Sequence, residues 1–299
     1  MIFSNLLSFL LSSTAIATMQ VRDQQSLEAL RQGLMEKMSG AGGTFALAFK
    51  DLNSGDSLFI NESEVFHAAS TMKTAVMIEV FKQAEVGKFK LLDSIEVRNR
   101  FRSLADGSSF SVDPQDDGDP ELYRSAGTRV TILSLVDRMI TKSSNLGTNL
   151  LIELVSPEEV TKTAQELGAT NLKILRGVED EKAFRAGLNN TTTALDLVRL
   201  FERLARCDIL TREACKEMVS ILMRQEDKSK IPALLPVGVK TAHKTGSIAA
   251  VEHDSGIIFL PDGREYILVI LSKNLKENKV GVQGIAEMSR FVYDYISTR

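Results

Sequence analysis

The chain carries only three histidines, His67, His243 and His253, and only two cysteines, Cys207 and Cys215, in 299 residues. A zinc site needs several nitrogen or sulfur ligands, usually in part at short fixed spacing. No such pattern is present, so the histidines read as core or rim residues and no metal is expected. The two cysteines lie eight apart and flank Asp208-Ile209-Leu210-Thr211. Neither has a histidine partner at useful spacing, which argues against a thiol nucleophile. In an oxidising compartment they could close a small loop between helices; otherwise they are two small apolar residues. A block of like charge is also missing. With 36 basic against 39 acidic residues and a net charge of −3, the chain offers no footing for nucleic acid. No internal repeat or low-complexity tract is visible, and 43% hydrophobic with 25% charged residues is ordinary for a soluble globular protein of one or two packed units.

A long apolar run is lacking too. The stretch from Met1 to Ala17 has the length of a signal-peptide core and ends in Ala15-Ile16-Ala17, the small-x-small form of a cleavage site. It is too short and too rich in serine for a membrane span. Residues 1–17 are therefore expected to be a signal peptide, although no Lys or Arg precedes the apolar core; an uncleaved anchor is the alternative. The protein is expected to be exported, periplasmic or secreted, without stable membrane insertion.

Periodicity then gives the elements. Leu27, Leu30 and Leu34 mark an amphipathic helix closing at Gly40 to Gly43. Thr44 to Asp51 and Ser57 to Ile60 read as paired strands turned by Asn53-Ser54-Gly55. From Ser70 to about Arg224 the chain reads mainly helical, including a run from Val130 to Thr141. Ser156-Pro157-Glu158-Glu159 combines an N-cap, a first-turn proline and a capping-box acid, and Gly168 stops that helix. Asp106 to Gly127 is a long loop, either overhanging a site or simply solvated. Strand character returns after Pro236, with a run beginning near Val237 and a hairpin of Gly256 to Leu260 and Tyr266 to Leu271 around Pro261-Asp262-Gly263. Ile285, Met288, Phe291, Val292, Tyr295 and Ile296 have the spacing of a terminal helix packed on a sheet. The expected fold is α/β: an antiparallel sheet from both chain ends, residues 18–69 and 225–299, flanked by terminal helices, plus an inserted all-α unit, residues 70–224.

The chemistry begins at Ser70-Thr71-Met72-Lys73. Residues three apart share a helix face, so a hydroxyl and an amine can act as one unit. A serine hydroxyl is a poor nucleophile until a base takes its proton. Lys73 can be that base only when neutral, and burial together with a second cation pushes a lysine that way. At a helix start, Ser70 would also aim its backbone N–H at a reacting carbonyl. The alternative is that Ser70 merely caps the helix; about one S-x-x-K match is expected by chance in a chain this long.

Two further motifs follow in order: Ser143-Ser144-Asn145 and Lys244-Thr245-Gly246-Ser247. S-x-x-K, S-x-N and K-T-G in this order and at these separations resemble the penicillin-recognising serine hydrolases, most closely the class A β-lactamases, over residues 26 to 299. The resemblance implies the serine β-lactamase/penicillin-binding-protein transpeptidase-like fold, with the motifs meeting at the seam between sheet and helices. By motif, Ser70 would be acylated, with Lys73 accepting its proton directly or through a water. Lys244 would supply the second cation and hold an anionic substrate group, and Ser143 would pass a proton to the departing nitrogen. Asn145 would face a substrate amide. Gly246 would allow close approach, the backbone N–H groups of Ser247 and Ser70 would form the oxyanion hole, and Thr245 and Ser247 would help hold the β-lactam carboxylate.

The resemblance also implies a glutamate that deacylates the enzyme, and Glu179 in Arg176-Gly177-Val178-Glu179-Asp180-Glu181 is the candidate, with Asp180 and Glu181 as rivals. The chain departs from the family in several places. The segment from Glu179 to Thr191-Thr192-Thr193 is shorter, Asp180 stands for the usual proline, and the asparagine that helps hold the water has no clear match. Ser255 stands where many members carry a carboxylate-binding arginine. The expected activity is serine β-lactamase action by a monomer on a small-molecule β-lactam, without cofactor. A D-alanyl-D-alanine peptidase or esterase, or a penicillin-binding sensor, is the alternative.

Overall fold

The computed structural model describes residues 26–299; the expected signal peptide, 1–17, lies outside them. Helix α1, residues 26–41, leads into strands β1 (Thr44–Asp51) and β2 (Ser57–Ile60). Strands β3 (Lys240–Ile248), β4 (Val251–Phe259) and β5 (Glu265–Lys273) come from the far end of the chain. They complete one antiparallel sheet in the order β2-β1-β5-β4-β3. The central strand is therefore β5, bonded to β1 from Thr44↔Lys273 to Asp51↔Tyr266.

Alternation sorts the side chains between two cores. Phe45, Leu47 and Phe49 of β1 and Tyr266, Leu268 and Ile270 of β5 pack with Leu30 and Leu34 of α1 and Ile285, Met288 and Val292 of the terminal helix α8 (Asn278–Ser297). Their neighbours Ala46, Ala48, Ile267, Val269 and Leu271 face the helical residues. Alanines on that side of β1 leave room for helices to lie against the sheet. The helices are α2 (Lys73–Glu85), α3 (Ile132–Thr141), α4 (Asn145–Val155), α5 (Pro157–Glu166), α6 (Ala194–Arg206) and α7 (Arg212–Met223).

Local chemistry sets their ends. Thr193 and Asp196 form a reciprocal capping box at α6, Ser156 Oγ accepts the Glu159 N–H at 3.3 Å ahead of Pro157, and Gly168 closes α5 at φ 96°. Two sequence boundaries shift. The expected helical run from Val130 begins instead at Ile132, because Arg129–Thr131 is a short strand paired with Ser94–Glu96 and Thr131 caps the helix by accepting the Ser134 N–H. Two β-branched residues there favour extended backbone. The strand expected from Val237 begins at Lys240, since Pro236 and Gly238, at φ 96°, make a turn first. Short ladders at Phe101–Arg102 with Ser109–Phe110, and at Phe66–His67 with Thr191–Thr192, also interrupt the helical stretch. Cys207 and Cys215 are joined as a disulfide between α6 and α7, with Cα atoms 5.6 Å apart.

Candidate active site

Ser70 does not cap α2. It occupies the second position of a 3₁₀ turn, Ala69–Met72, that feeds directly into the helix, and neither helical start has a side-chain cap. Strand β3 runs beside this turn. A methyl group on Gly246 would lie 3.1 Å from the amide nitrogen of Ser70 and 3.2 Å from that of Thr71, tighter than an ordinary contact. Glycine keeps the space beside those N–H groups open, which is the requirement for an anion-stabilising pocket there.

The Lys73 side chain is fully buried. Its Nζ donates to the backbone oxygen of Ser143 at 2.7 Å, to Ser143 Oγ at 3.2 Å and to Asn145 Oδ1 at 2.8 Å. Lys244 Nζ reaches the same Ser143 Oγ at 3.1 Å and the Thr245 carbonyl at 2.9 Å. One hydroxyl thus bridges the two amines foreseen from the sequence. Burial pushes Lys73 down to about 7, with the carboxylates of Asp117 and Glu179 pulling the other way. Lys244 is lowered well below the usual lysine range, first by burial, then by Lys73 and Lys230. At about 7 a lysine exchanges its proton readily near neutral pH.

Glu179 joins the same network. Its Oε1 accepts from Asn145 Nδ2 at 2.8 Å and its Oε2 from the Asp113 N–H at 2.8 Å. A continuous chain of hydrogen bonds therefore runs Glu179–Asn145–Lys73–Ser143–Lys244. Burial raises Glu179 above the ordinary carboxylate range; the Asp113 N–H and the Asn145 amide oppose that, while Asp117 and Asp116 add to it. The rivals are engaged elsewhere. Asp180 caps the short helix Glu181–Arg185 and binds the Ser103 hydroxyl and the Leu104 N–H, and Glu181 pairs with Arg185 at 2.8 Å.

Backbone strain concentrates here. Ala69 at φ 43°, Ser143 at φ 59° and Glu179 at φ 60° are three non-glycine residues in the left-handed region. Each such residue costs on the order of 1 kcal/mol and persists only where its surroundings impose it. Much of that holding framework was not foreseen. Asp117, in the loop Asp106 to Gly127, accepts the N–H groups of Asn145 at 2.9 Å and Leu146 at 2.9 Å and the Tyr123 hydroxyl at 2.7 Å. It places a negative charge at the start of α4, where the helix dipole favours one. That loop therefore scaffolds the site rather than being merely solvated. Asn149, one turn beyond Asn145, brackets Val178, accepting its N–H at 2.7 Å and donating to its carbonyl at 3.0 Å. A side chain on Gly177 would strike the same amide, 2.5 Å from Asn149 Oδ1. Asn190 accepts from Leu175 and Arg176 and donates to the Arg176 carbonyl and to Met72 Sδ, so its amide is fully engaged within the protein. Of these, only Asn149 has a local signal, its i, i+4 spacing from Asn145 on one helix face.

Two cavities meet at Ser70. One, of about 330 Å³, is lined by Ser70, Met72, Asn145, Val178, Glu179 and Phe184 among others. The second, of about 340 Å³, is lined by Ser70, Ser143, Asn145, Lys230, Thr245 and Gly246 among others. The Ser247 hydroxyl donates to Glu252 Oε1 at 2.6 Å. Ser255 is buried within β4 opposite Lys244 and its hydroxyl donates to the Lys244 carbonyl at 3.3 Å. The histidines sit in the protein frame: His243 against Asp254 at 3.0 Å, His253 against the His67 carbonyl at 2.9 Å, and His67 accepting the Ala69 N–H at 3.0 Å. Among the described residues no group of three or more His, Cys, Asp or Glu side chains could hold a metal ion.

An antiparallel sheet packed on helices, with Ser70 and Ser143 lining one cavity and two buried amines on the Ser143 hydroxyl, is the setting of an α/β serine hydrolase. The chain matches the family described as "Beta-lactamase enzyme family" over residues 27–296 and belongs to it. A β-lactamase of Bacteroides uniformis is 24% identical, over 94% of this chain and 95% of that one. The β-lactamase of Sphaerobacter thermophilus superposes with a TM-score of 0.78 at 25% identity, over 90% of this chain and 97% of that one. A variant of PBP-A, solved as its acyl-enzyme with penicillin G, superposes with a TM-score of 0.78 at 27% identity, over 91% of this chain and 97% of that one.

Proposed function

We propose that the protein hydrolyses β-lactams through an acyl-enzyme on Ser70. Lys73, held near neutrality by burial, accepts the serine proton directly or through a water, and Ser143, bonded to both amines, delivers a proton to the departing nitrogen. Lys244 shares the Ser143 hydroxyl with Lys73 and helps to orient it. The Ser70 and Ser247 N–H groups beside Gly246 receive the developing oxyanion. Asn145 spans the two halves of the site, tying Lys73 to Glu179 and leaving its second amide hydrogen for a substrate carbonyl, and Thr245 lines the substrate cleft. Glu179 directs the water that releases the acyl group, after its carboxylate gives up one of its two present contacts. The observation that carries this reading is the hydrogen-bond chain from Glu179 to Lys244.

The seam between the sheet, residues 18–69 with 225–299, and the helices, residues 70–224, is where these parts meet, and we treat the two as the working units of a monomer. The leader at 1–17 supports export to the periplasm or medium. Among the described residues no helix is long and apolar enough to cross a membrane.

Turnover of a chromogenic cephalosporin, followed by intact mass, tests the assignment. The wild type is expected to turn over, Ser70→Ala to form no adduct, and Glu179→Ala to accumulate one. Wild-type release at the rate of Glu179→Ala would move the protein to a second reading, a long-lived penicillin-binding acyl-enzyme of the peptidase or sensor kind, which the likeness to PBP-A favours. A Glu179→Ala variant that turns over like the wild type would remove Glu179 from the mechanism.

A further inference from the structure

The cleft on the far side of Ser70 from Glu179 is where the family resemblance places a substrate carboxylate, and no arginine is there. A buried lysine is. Lys230 is 2% exposed, lines that cavity beside Thr245, Gly246 and Ser247, and donates to the Gly246 carbonyl at 3.3 Å. Its charge is already matched. Nζ lies 2.7 Å from the carboxylate of Glu252, itself buried, and 3.7 Å from that of Asp227. Glu252 also accepts the Ser247 hydroxyl at 2.6 Å and the Asn278 amide at 2.7 Å. The cation and the hydroxyl that a substrate carboxylate would seek are thus both turned towards one internal carboxylate.

The lining of the cavity points the same way. Asp116, Glu226 and Asp227 stand there against Lys142 and Lys230, while Lys244, expected to hold an anionic group, is fully buried with its amine on Ser143 Oγ and the Thr245 carbonyl, so the lining holds no surplus of positive charge for an incoming anion. A further carboxylate in that neighbourhood would meet like charges at short range, and a substrate anion would have to compete with Glu252 for Lys230 and Ser247.

We propose that Glu252 is an internal competitor for the substrate carboxylate, a specificity-determining residue that makes the cleft nearly indifferent to charge at that end of the substrate. The enzyme then takes acyl substrates with an uncharged group there about as well as the corresponding acids. This rests on the reading of Ser70 as the acylated residue and sharpens its substrate class. Glu252 touches no reacting atom; it acts by fixing Ser247 and neutralising Lys230.

The test compares one chromogenic cephalosporin in its free-acid form with its C4 methyl ester, which differ only in that charge. For the wild type the ratio of kcat/KM, acid over ester, is expected within about threefold of one. Glu252→Gln keeps the size of the side chain while releasing Lys230, and is expected to raise the ratio roughly tenfold, the equivalent of about 1.4 kcal/mol, through a lower KM for the acid. The gain should vanish in Glu252→Gln with Lys230→Met. Removal of a buried acid can damage folding, and the wild-type ratio is a readout that needs no variant. A wild-type ratio above about a hundred, or a Glu252→Gln variant that shifts acid and ester alike, overturns the proposal. Turnover of both compounds with such a ratio sinks this inference alone, whereas turnover of neither, with no adduct on Ser70, sinks the reading of the site as well.

Discussion

The two cavities flanking Ser70 are almost equal in size, about 330 and 340 Å³, yet they are built differently. The first has apolar walls of Met72, Val178 and Phe184, with Glu179, Asp180, Glu181 and Arg176 also in its lining. The second is rimmed by acids and bases, with Lys230 and Ser143 inside. Burial raises Glu179, in the first, above the ordinary carboxylate range, whereas in the second Lys230 is paired with Glu252 and Asp227. Ser70, Asn145 and Ser247 line both. Bond making and release of the acyl group can therefore be governed from opposite sides of one nucleophile, with Asn145 as the connection.

The largest effect that would break this division is expected from Lys73→Met. Loss of the shared amine should reduce kcat/KM for a cephalosporin by about 10³-fold, within the usual range for removing a positioned base, and a variant retaining more than a tenth of wild-type activity would take Lys73 out of proton transfer. Next is Asp117→Asn, which leaves the cavities in place but removes the charge that holds the α4 amides and pulls Lys73 upward. A loss of roughly 1–3 kcal/mol in stability is expected, with the acid limb of kcat/KM moving to lower pH; an unmoved limb would break the link between the loop and the amine.

The pH dependence of the wild type sharpens the contrast further. With Lys73 near 7, acylation should rise as pH passes through neutrality, and the ionisation that governs deacylation should lie above the usual carboxylate range, because burial raises Glu179. Stability has a definite sign as well. Lys73 binds its proton more weakly folded than unfolded, so between about pH 7 and the unfolded lysine range the unfolded chain holds more protons and stability rises with pH. Melting curves at pH 7 and 9 should show the wild type gaining on Lys73→Met by up to about 1 kcal/mol per pH unit; parallel behaviour would mean the amine is not depressed. The smallest effect is expected far from both cavities: replacing Cys207 and Cys215 by serine should cost about 2 kcal/mol of stability and leave turnover unchanged, as measured by melting and by kcat.

Much of this was legible in the sequence because it depends on short-range chemistry. The limits of β1 and β2 follow from alternation and the turn at Asn53-Ser54-Gly55, and the start of α5 from Ser156 and Pro157. The three motifs named the groups that converge on Ser143. The rest depends on contacts between distant segments that carry no periodic signal. Asp117 looks like any acid in a polar loop until α4 arrives over it, 28 residues on. Lys230 and Glu252 lie on none of the three motifs, and their pairing appears only once β3 and β4 are in register. Ser70 could equally have been a cap, because a 3₁₀ turn and an α-helical start look alike in the sequence.

The order of strands has a consequence for how such a protein comes into being. Because β5 sits between β1 and β4, the first strand has no route to the K-T-G strand until the last thirty or so residues have been synthesised. A chain cut short before Glu265 would keep β3 but lose the central strand that ties it, through β4, to β1, leaving the wall beside the Ser70 turn unanchored. The nucleophile is made early and armed last, so a nascent or truncated product would pass through its cell chemically inert.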